Sequence, residues 1–392
     1  LVFKTPRHFQ FNHMTKFKIK KLIQQLHLWL GLASGLIVFI IAITGTLYVF
    51  AEDIKSITHK ERRIIEIPQN QERLPISTLV SMAEDVFDNQ HHYQNIIVPN
   101  FPDHTVSIVF MEYNAEQFWY PNYVKFHKTV YINPYTGKIV KVEDSKWDFF
   151  SVVFSIHVTL FMGYNPISHI IVVTSVWVFV IMLISGLILW WPKKKQRKQS
   201  FWLRWKTSTR WRRKNYDLHR ILGFYFMLIA LISALTGLMW ASESFNKTVK
   251  WVANGGETIE EKALPKPKTD IISATPLDDI FSKTLQDIPE SKYILIRKHP
   301  NDKVPYIVRS YVHETLNYKR IEMYYDRKTA TILSKETFAD KNNGEKVQAL
   351  NYDIHVGTIG GWPTKILTFL MSLVVASLPI TGFLVWRGRR KK

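Results

Sequence analysis

The sequence predicts a membrane α-helical bundle of four spans, with two extracytoplasmic α+β domains and an internal duplication of the whole arrangement. Three features of the 392 residues predict this fold class. Charged and apolar residues are segregated into blocks, the excess of basic residues is confined to three segments, and one spacing of His, Gly and Ser or Thr occurs twice along the chain.

Four apolar blocks are each long enough to cross a bilayer, which requires roughly 20 residues. They lie at Leu28–Phe50, Ile167–Trp191, Leu218–Trp240 and Ile366–Trp386. The first is too long for a signal peptide, and no small-residue cleavage site follows it before Glu52. Because the residues before Met14 do not resemble a leader, Met14 is a candidate start of translation.

The formal net charge of +20 lies on one side of these blocks. Residues 1–21 hold six Lys or Arg, residues 192–214 hold eleven and residues 387–392 hold five, and none of these segments contains an acid. The positive-inside rule therefore places both termini in the cytoplasm. Since topology explains the charge, we expect no nucleic-acid partner, although Lys193–Arg213 would be the candidate patch.

This topology defines the predicted domains. They are a basic cytoplasmic N-terminus (1–26), a first span (27–50), a first outside domain (51–154), an outer histidine segment with the second span (155–191), a basic cytoplasmic loop (192–215), a third span (216–241), a second outside domain (242–352), an outer histidine segment with the fourth span (353–386) and a cytoplasmic tail (387–392).

Each outside domain reads as a helix followed by strands and a hairpin. The predicted helices are Pro75–Phe87 and Pro276–Leu285. The predicted strands are Asn95–Pro99, Thr105–Met111, Val124–Asn133, Tyr293–Lys298 and Val304–Val312, and the hairpins are Tyr131–Val140 and Met323–Leu333. Both domains are therefore α+β modules of about 100 residues, enough for a small domain.

The spans repeat more sharply than the domains. Spans one and three each have a His four residues before a Gly and eighteen before the Gly of a Thr-Gly pair: His27, Gly31 and Thr44-Gly45, then His219, Gly223 and Thr236-Gly237. At the outer ends of spans two and four, a His precedes a Gly by six residues, and a Pro, a Ser/Thr-Gly pair and a Trp follow: His157, Gly163, Pro166, Ser185-Gly186 and Trp190, then His355, Gly361, Pro363, Thr381-Gly382 and Trp386. The spacing predicts two halves in parallel orientation.

A single histidine at a span end is usually an interfacial polar residue, but four in matched registers place one pair at each membrane face. A hexacoordinate haem needs such a pair, from facing helices. We therefore predict two non-covalent b-type haems, with iron ligands His27 and His219 on the inner haem and His157 and His355 on the outer. His169 has no counterpart in the repeat and is expected to be a polar neighbour, with a lesser claim to a ligand role.

Other metal centres fit less well. The chain has no cysteine, which excludes disulfides, iron–sulfur clusters and covalent c-type haem. Zinc would require further ligands that the apolar spans do not offer.

The sequence leaves two possible roles for the glycines near the histidines and two for the basic residues at the span ends. Gly31 and Gly223 would let a flat macrocycle approach the backbone, or they would serve close helix packing, for which Gly31 and Gly35 form a small-xxx-small pair. Basic residues near the span ends would neutralise haem propionates or anchor in the lipid interface: Arg220, Lys20, Lys21 and Lys365. Aromatic residues at the span ends are expected to form interfacial belts, Trp190 among them.

These motifs and their order, from about His27 onward, resemble the PepSY-associated transmembrane helix family. The second hairpin departs from the family pattern, because Asp326–Ala330 lacks the glycine. The resemblance implies two PepSY-like periplasmic domains above a haem-containing bundle in the bacterial inner membrane. It also implies the activity of a ferrisiderophore reductase. The chain has no dinucleotide fingerprint, so the electron donor would be external, either a cytoplasmic reductant or membrane quinol.

The leading hypothesis is therefore an enzyme that transfers electrons across the membrane to a periplasmic ferric siderophore or other ferric chelate. The substrate would approach near Tyr164 and Trp362, and no catalytic acid or base is nominated. The alternative is a non-enzymatic membrane sensor or protease regulator. A transporter is disfavoured because no Asp or Glu lies in the four apolar blocks.

Overall fold

The computed structural model describes residues 8–69, 71–192, 200–260, 265 and 271–390. In chain order the helices are α1 (His8–Tyr48), α2 (Ala51–Thr58), α3 (Lys60–Arg63), α4 (Ile76–Asp85), α5 (Tyr120–Tyr123), α6 (Phe149–Thr159), α7 (Pro166–Trp190), α8 (Trp211–Ala241), α9 (Glu243–Ala253), α10 (Pro276–Asp287), α11 (Asn343–His355) and α12 (Trp362–Arg390). The strands are β1 (Tyr93–Pro99), β2 (Val106–Tyr113), β3 (Val124–Ile132), β4 (Ile139–Glu143), β5 (Tyr293–Arg297), β6 (Tyr306–Tyr311), β7 (Ile321–Tyr325) and β8 (Ile332–Glu336). The predicted helices and strands of the outside regions agree with these bounds to within two residues.

Four helices are long and apolar enough to cross a membrane, as the sequence predicts. They are Lys18–Tyr48 of α1, α7, α8 and Trp362–Gly388 of α12. Helix α1 packs against α7 and α12, and α8 packs against the same two helices, so α1 and α8 face each other diagonally. All four spans contribute to the core of the bundle, which contains Val38, Ala42, Leu183, Ala230, Met371, Val375 and Ala376. The chain is a multi-pass membrane protein.

The two outer histidines lie on short helices of their own, not on the span ends as predicted. His157 lies two residues before the end of α6, and His355 is the last residue of α11. A residue with positive φ follows each helix, Leu160 (φ 54°) after α6 and Gly357 (φ 81°) after α11, and Gly163 (φ +67°) and Gly361 (φ +70°) precede α7 and α12. The left-handed backbone stops the helix and lets the chain re-enter the bundle as a span.

The outside regions form one eight-stranded antiparallel sheet, in the order β4-β3-β2-β1-β5-β6-β7-β8. The sequence predicts two separate modules, but β1 pairs with β5 through five residue pairs, from Asn95↔Arg297 to Pro99↔Tyr293. Helices α4 and α10 cover one face and share a single apolar core with both sets of strands. Pairing β1 with β5 satisfies the backbone groups that two isolated edges would leave open.

The second hairpin forms its turn without glycine. Ala330 takes the positive φ (50°) that Gly137 takes in the first hairpin (φ 69°). The Asp326 carboxylate accepts hydrogen bonds from the backbone N–H groups of Lys328 and Thr329, at 3.0 and 2.8 Å. The departure from the family pattern therefore changes the residue at the turn but not the turn itself.

Candidate functional site

The structure brings two of the four predicted ligands together beside the sheet. The ring centroids of His157 and His355 are 6.3 Å apart and their planes are inclined at 63°. A nitrogen ligand lies about 2.0–2.1 Å from a first-row metal, and the ring centroid about 1.1 Å behind it, so two imidazoles across one metal have centroids about 6.3 Å apart. The separation of the outer pair therefore fits two axial ligands of one ion.

Nδ1 of each outer histidine lies within hydrogen-bond distance of an oxygen atom on a neighbouring span. His157 Nδ1 lies 2.9 Å from the Ile41 carbonyl oxygen and 3.3 Å from Thr44 Oγ1. His355 Nδ1 lies 2.9 Å from Thr236 Oγ1. Each ring is thus held by an acceptor on α1 or α8, which leaves Nε2 as its other nitrogen.

The oxygen partners of Nδ1 favour one tautomer of the rings. The Ile41 carbonyl has no proton and can only accept from His157 Nδ1. Thr44 Oγ1 lies 2.6 Å from the Ile40 carbonyl and Thr236 Oγ1 lies 2.8 Å from the Ile232 carbonyl, and a hydroxyl that gives its one proton to such a carbonyl accepts from the imidazole. The rings therefore carry the proton on Nδ1 and present the Nε2 lone pair, which is the arrangement of metal-binding histidines.

The surroundings of His355 also favour the neutral imidazole that a metal requires. His355 lies on α11, outside the four spans, where loss of hydration lowers its pKa to about 4, and the neighbouring His157 lowers the pKa further in the same direction. A metal binds only the neutral imidazole, so a lowered pKa keeps the ligand competent at neutral pH.

The inner pair has the same construction at the basic end of the bundle, opposite the sheet. His27 is on α1 and His219 on the diagonal helix α8, within electrostatic range of one another. His27 Nδ1 lies 2.8 Å from Ser185 Oγ, and His219 Nδ1 lies 2.9 Å from Thr381 Oγ1.

The inner hydroxyls favour the same tautomer as the outer ones. Ser185 Oγ lies 3.1 Å from the Met182 carbonyl, and Thr381 Oγ1 lies 2.9 Å from the Ser377 carbonyl. A hydroxyl that gives its one proton to a carbonyl accepts from the imidazole, which leaves the ring's lone pair on Nε2.

Every hydroxyl partner is followed by a glycine against which the histidine ring lies. A Cβ built on the glycine would stand 3.1 to 3.4 Å from the ring Cε1 in all four cases: Gly45 at His157, Gly237 at His355, Gly186 at His27 and Gly382 at His219. Each histidine ring thus contacts both residues of a Ser/Thr-Gly pair, the hydroxyl through Nδ1 and the glycine through Cε1. In the sequence these pairs indicate only a repeat; their matched spacing signals a shared role, and the contacts across the bundle identify the histidine that each pair serves.

The glycines near His27 and His219 that were considered for a macrocycle serve helix packing instead. A Cβ on Gly31 would meet the Met182 side chain, and one on Gly223 would meet Leu378 at 3.6 Å. Gly35 lies against Pro379, at 3.3 Å. Of the two interpretations offered, these contacts favour close packing.

The donor set at both pairs suits a haem better than zinc. Among the described residues, the one group of three close His, Asp or Glu side chains is His59, Glu143 and Asp148, which contains none of the four ligands. Those carboxylates are already paired with Arg62 at 2.9 Å and Lys55 at 3.3 Å. Two imidazoles alone leave zinc two ligands short, whereas a haem brings four nitrogens of its own.

His169 and the residues near the outer pair have other partners. The ring nitrogen Nε2 of His169 lies 2.6 Å from the Ala241 carbonyl at the end of α8, so it acts as a polar cap. Tyr164 and Trp362 are both 60% exposed; Tyr164 lies against Tyr123, and Trp362 stacks on Phe50.

The basic residues considered for propionates divide into paired and exposed ones. Lys365 forms an ion pair with Asp53, and Arg220 lies 3.7 Å from Asp217. Asp217 stands one residue before the apolar block Leu218–Trp240 but inside the predicted third span (216–241) and the membrane-length helix Trp211–Ala241, where it also pairs with Arg213 at 2.9 Å. Lys20 and Lys21 are exposed.

Trp190 is not an interfacial anchor. It is buried and stacks on Phe224 with ring centroids 3.5 Å apart.

Lys193–Lys198 and Gln199, part of the basic loop, lie outside the described residues, as do residues 1–7 and 391–392.

Ser185→Ala is expected to weaken the inner site more than any other loss of a single hydroxyl partner. Carbonyl oxygens remain close to Nδ1 of His157, His219 and His355, whereas Ser185 is the acceptor of His27. Loss of such a partner typically lowers metal affinity about 10- to 100-fold. Haem titration of the purified protein measures this, with Ser175→Ala, another buried serine of α7, as the control. Equal affinity in both variants would contradict the assigned role of Ser185.

The family described as PepSY-associated TM region matches residues 24–389, which is nearly the whole chain and includes all four histidines. No protein of curated function matches the sequence. The match covers both sets of spans and the sheet between them, as the motifs at His27 and His219 indicate. The chain therefore belongs to the family of PepSY-associated transmembrane regions.

Proposed function

We propose that the protein is a transmembrane electron conduit that holds two b-type haems and reduces a ferric chelate outside the cytoplasm of a bacterium. One observation supports this most directly: four imidazoles, each with its Nδ1 held by a hydroxyl or carbonyl oxygen, lie at the two ends of one bundle, and the outer two have the separation expected of two imidazoles that share one metal. His27 and His219 would hold the inner haem, and His157 and His355 the outer.

The orientation follows from charge. The described parts of the three segments with excess Lys and Arg (8–21, 200–214 and 387–390) adjoin the bundle end that carries His27 and His219, so this end would face the cytoplasm. The sheet and the outer pair would then face the periplasm. Equal contributions of four strands and two spans from each half of the chain agree with the proposed duplication.

The side chains of the site have three tasks. The imidazoles offer Nε2 to the metal, the Ser and Thr hydroxyls orient them, and the apolar core of Val38, Leu183 and Met371 excludes water between the two ends. When bound, haem supplies reversible one-electron chemistry at its iron. Two such sites would span most of the roughly 30 Å hydrocarbon layer.

The substrate would be a ferric ion held by hard oxygen ligands. One electron from an external cytoplasmic reductant or membrane quinol would convert Fe(III) to Fe(II), which oxygen-rich chelators bind far less well. Such a transfer requires close approach but no proton donor or acceptor. Tyr164 and Trp362 are exposed on the loops that lead into α7 and α12, where a chelate would arrive.

Spectroscopy of the purified full-length protein, produced with ample haem, tests the proposal. We expect a Soret band that shifts on addition of dithionite and returns when a ferric chelate is added, with two haems per chain by pyridine haemochrome assay. A colourless protein would reject the conduit and leave the sensor or protease regulator as the better hypothesis. A coloured protein that no ferric chelate reoxidises would contradict the substrate assignment alone.

A further inference from the structure

Two asparagines occupy equivalent positions beside the proposed haem ligands of the second half. Asn215 lies four residues before His219 on α8, and Asn351 lies four residues before His355 on α11. Their exposed fractions are 3% and 2%, so both amides are buried. Residues four apart lie on the same face of a helix, which places each amide one turn from the imidazole.

Each asparagine binds the same threonine as its histidine does. Asn215 Nδ2 donates to the Thr381 carbonyl at 3.0 Å, and Asn351 Nδ2 donates to the Thr236 carbonyl at 3.1 Å. The hydroxyls of these threonines are the acceptors of His219 and His355, both at 2.9 Å. The helix with the ligand is therefore tied to the helix with the acceptor at two points, through one residue.

A two-point attachment restricts a motion that one bond permits. With the imidazole bond alone, the ligand helix could turn about its axis or slide along its neighbour, and the Nδ1–H···Oγ1 distance would vary. The amide bond, one turn or about 5.4 Å away, opposes both displacements. It thus holds the Thr hydroxyl at a constant distance from the ring.

The first half of the chain lacks this device. Ile23 and Val153 stand four residues before His27 and His157 and carry no hydrogen-bonding side chain. Each end of the bundle therefore pairs one doubly tied imidazole with one that is tied through its ring alone.

The amides are poor choices for stability alone. Oδ1 of Asn215 and Oδ1 of Asn351 are buried and, among the described residues, make no hydrogen bond. A buried acceptor without a partner is unfavourable, and a leucine of similar size would avoid the loss. Two such amides in the same relation to a histidine and a threonine indicate a task at the site.

We propose that Asn215 and Asn351 are positioning residues that hold the acceptors of His219 and His355 and thereby set the reduction potential of the inner and the outer haem, respectively. The inference rests on the proposed function. A firmly held acceptor makes the hydrogen bond from Nδ1–H to the Thr hydroxyl stronger and the imidazole a more basic ligand, which favours ferric iron. Without the amide, the potential of the haem it serves should rise.

Redox titration of the purified full-length protein, followed in the Soret region, tests the inference. We expect Asn351→Leu to raise one of the two midpoint potentials and Asn215→Leu to raise the other. Val153→Ala and Ile23→Ala, at the matched positions of the first half, should shift neither. Thr236→Val, which removes the hydroxyl acceptor, should raise the same potential as Asn351→Leu, whereas Thr236→Ser should not.

The outcomes separate the two proposals. An unaltered protein without haem would contradict the proposed function. Two haems whose potentials are unchanged in both Asn variants, or are shifted together in each of them, would overturn the positioning role and leave the conduit intact. If a leucine variant does not fold, Asn→Ala at the same position and the Thr236 pair give the same readout.

Discussion

A protein carrying His355→Ala is expected to retain about half of the haem of the unaltered protein and to reduce no external ferric chelate. The ring of His355 lies 6.3 Å from that of His157, so its loss leaves the outer site with one imidazole. A haem that depends on two axial histidines would lose its hexacoordinate state there, while the inner site is built from other helices. Pyridine haemochrome content and ferric-chelate reduction from the sheet side of proteoliposomes measure both effects.

His169→Ala is the matched control for that experiment. His169 lies at the same end of the bundle, but it caps the carbonyl of Ala241 and is exposed. Its removal should leave haem content and reduction unchanged. If His355→Ala kept both haems, or if His169→Ala lost one, the assignment of the outer ligands would be wrong.

His219→Ala is expected to have the complementary phenotype. Half of the haem should again remain, but it should now be the outer one, because His157 and His355 do not depend on α8 near His219. Dithionite added on the sheet side should still reduce the remaining haem. Electrons supplied at the basic end should no longer reach an external ferric chelate, since the first of the two sites is lost.

Sealed proteoliposomes with the reductant enclosed distinguish the two variants. Both should fail to transfer electrons outward, whereas only His219→Ala should retain a haem that reacts with an external ferric chelate after dithionite reduction. His92→Ala, an exposed histidine of the sheet domain, is the control and should behave as the unaltered protein. Outward transfer at the normal rate through His219→Ala would show that the inner pair is not on the electron path.

The spans and the strands were predictable because each depends on local composition. Blocks such as Leu28–Phe50 contain little besides apolar residues, and alternation in Thr105–Met111 matches a strand with one buried face. Hydrophobic burial therefore determined these elements with little influence from distant parts of the chain. The matched spacing after His27 and His219 likewise indicated a pair across the bundle.

Contacts between distant elements were not predictable in this way. The single sheet depends on the pairing of β1 with β5, whose residues are about 200 positions apart. The separate helices of His157 and His355 end at residues with positive φ, Leu160 and Gly357. The role of Ser185 becomes visible only when α7 lies against α1, because nothing in the local sequence relates it to His27.

The seam between β1 and β5 also bears on the speed of the proposed reaction. It joins the two chain segments that lead, through α6 and α11, to the outer pair, so those segments form one frame instead of two hinged lobes. Imidazoles mounted on such a frame change position little when their metal gains or loses charge. Small nuclear rearrangement lowers the activation barrier of electron exchange. A rigid sheet domain would therefore favour rapid turnover without a conformational change.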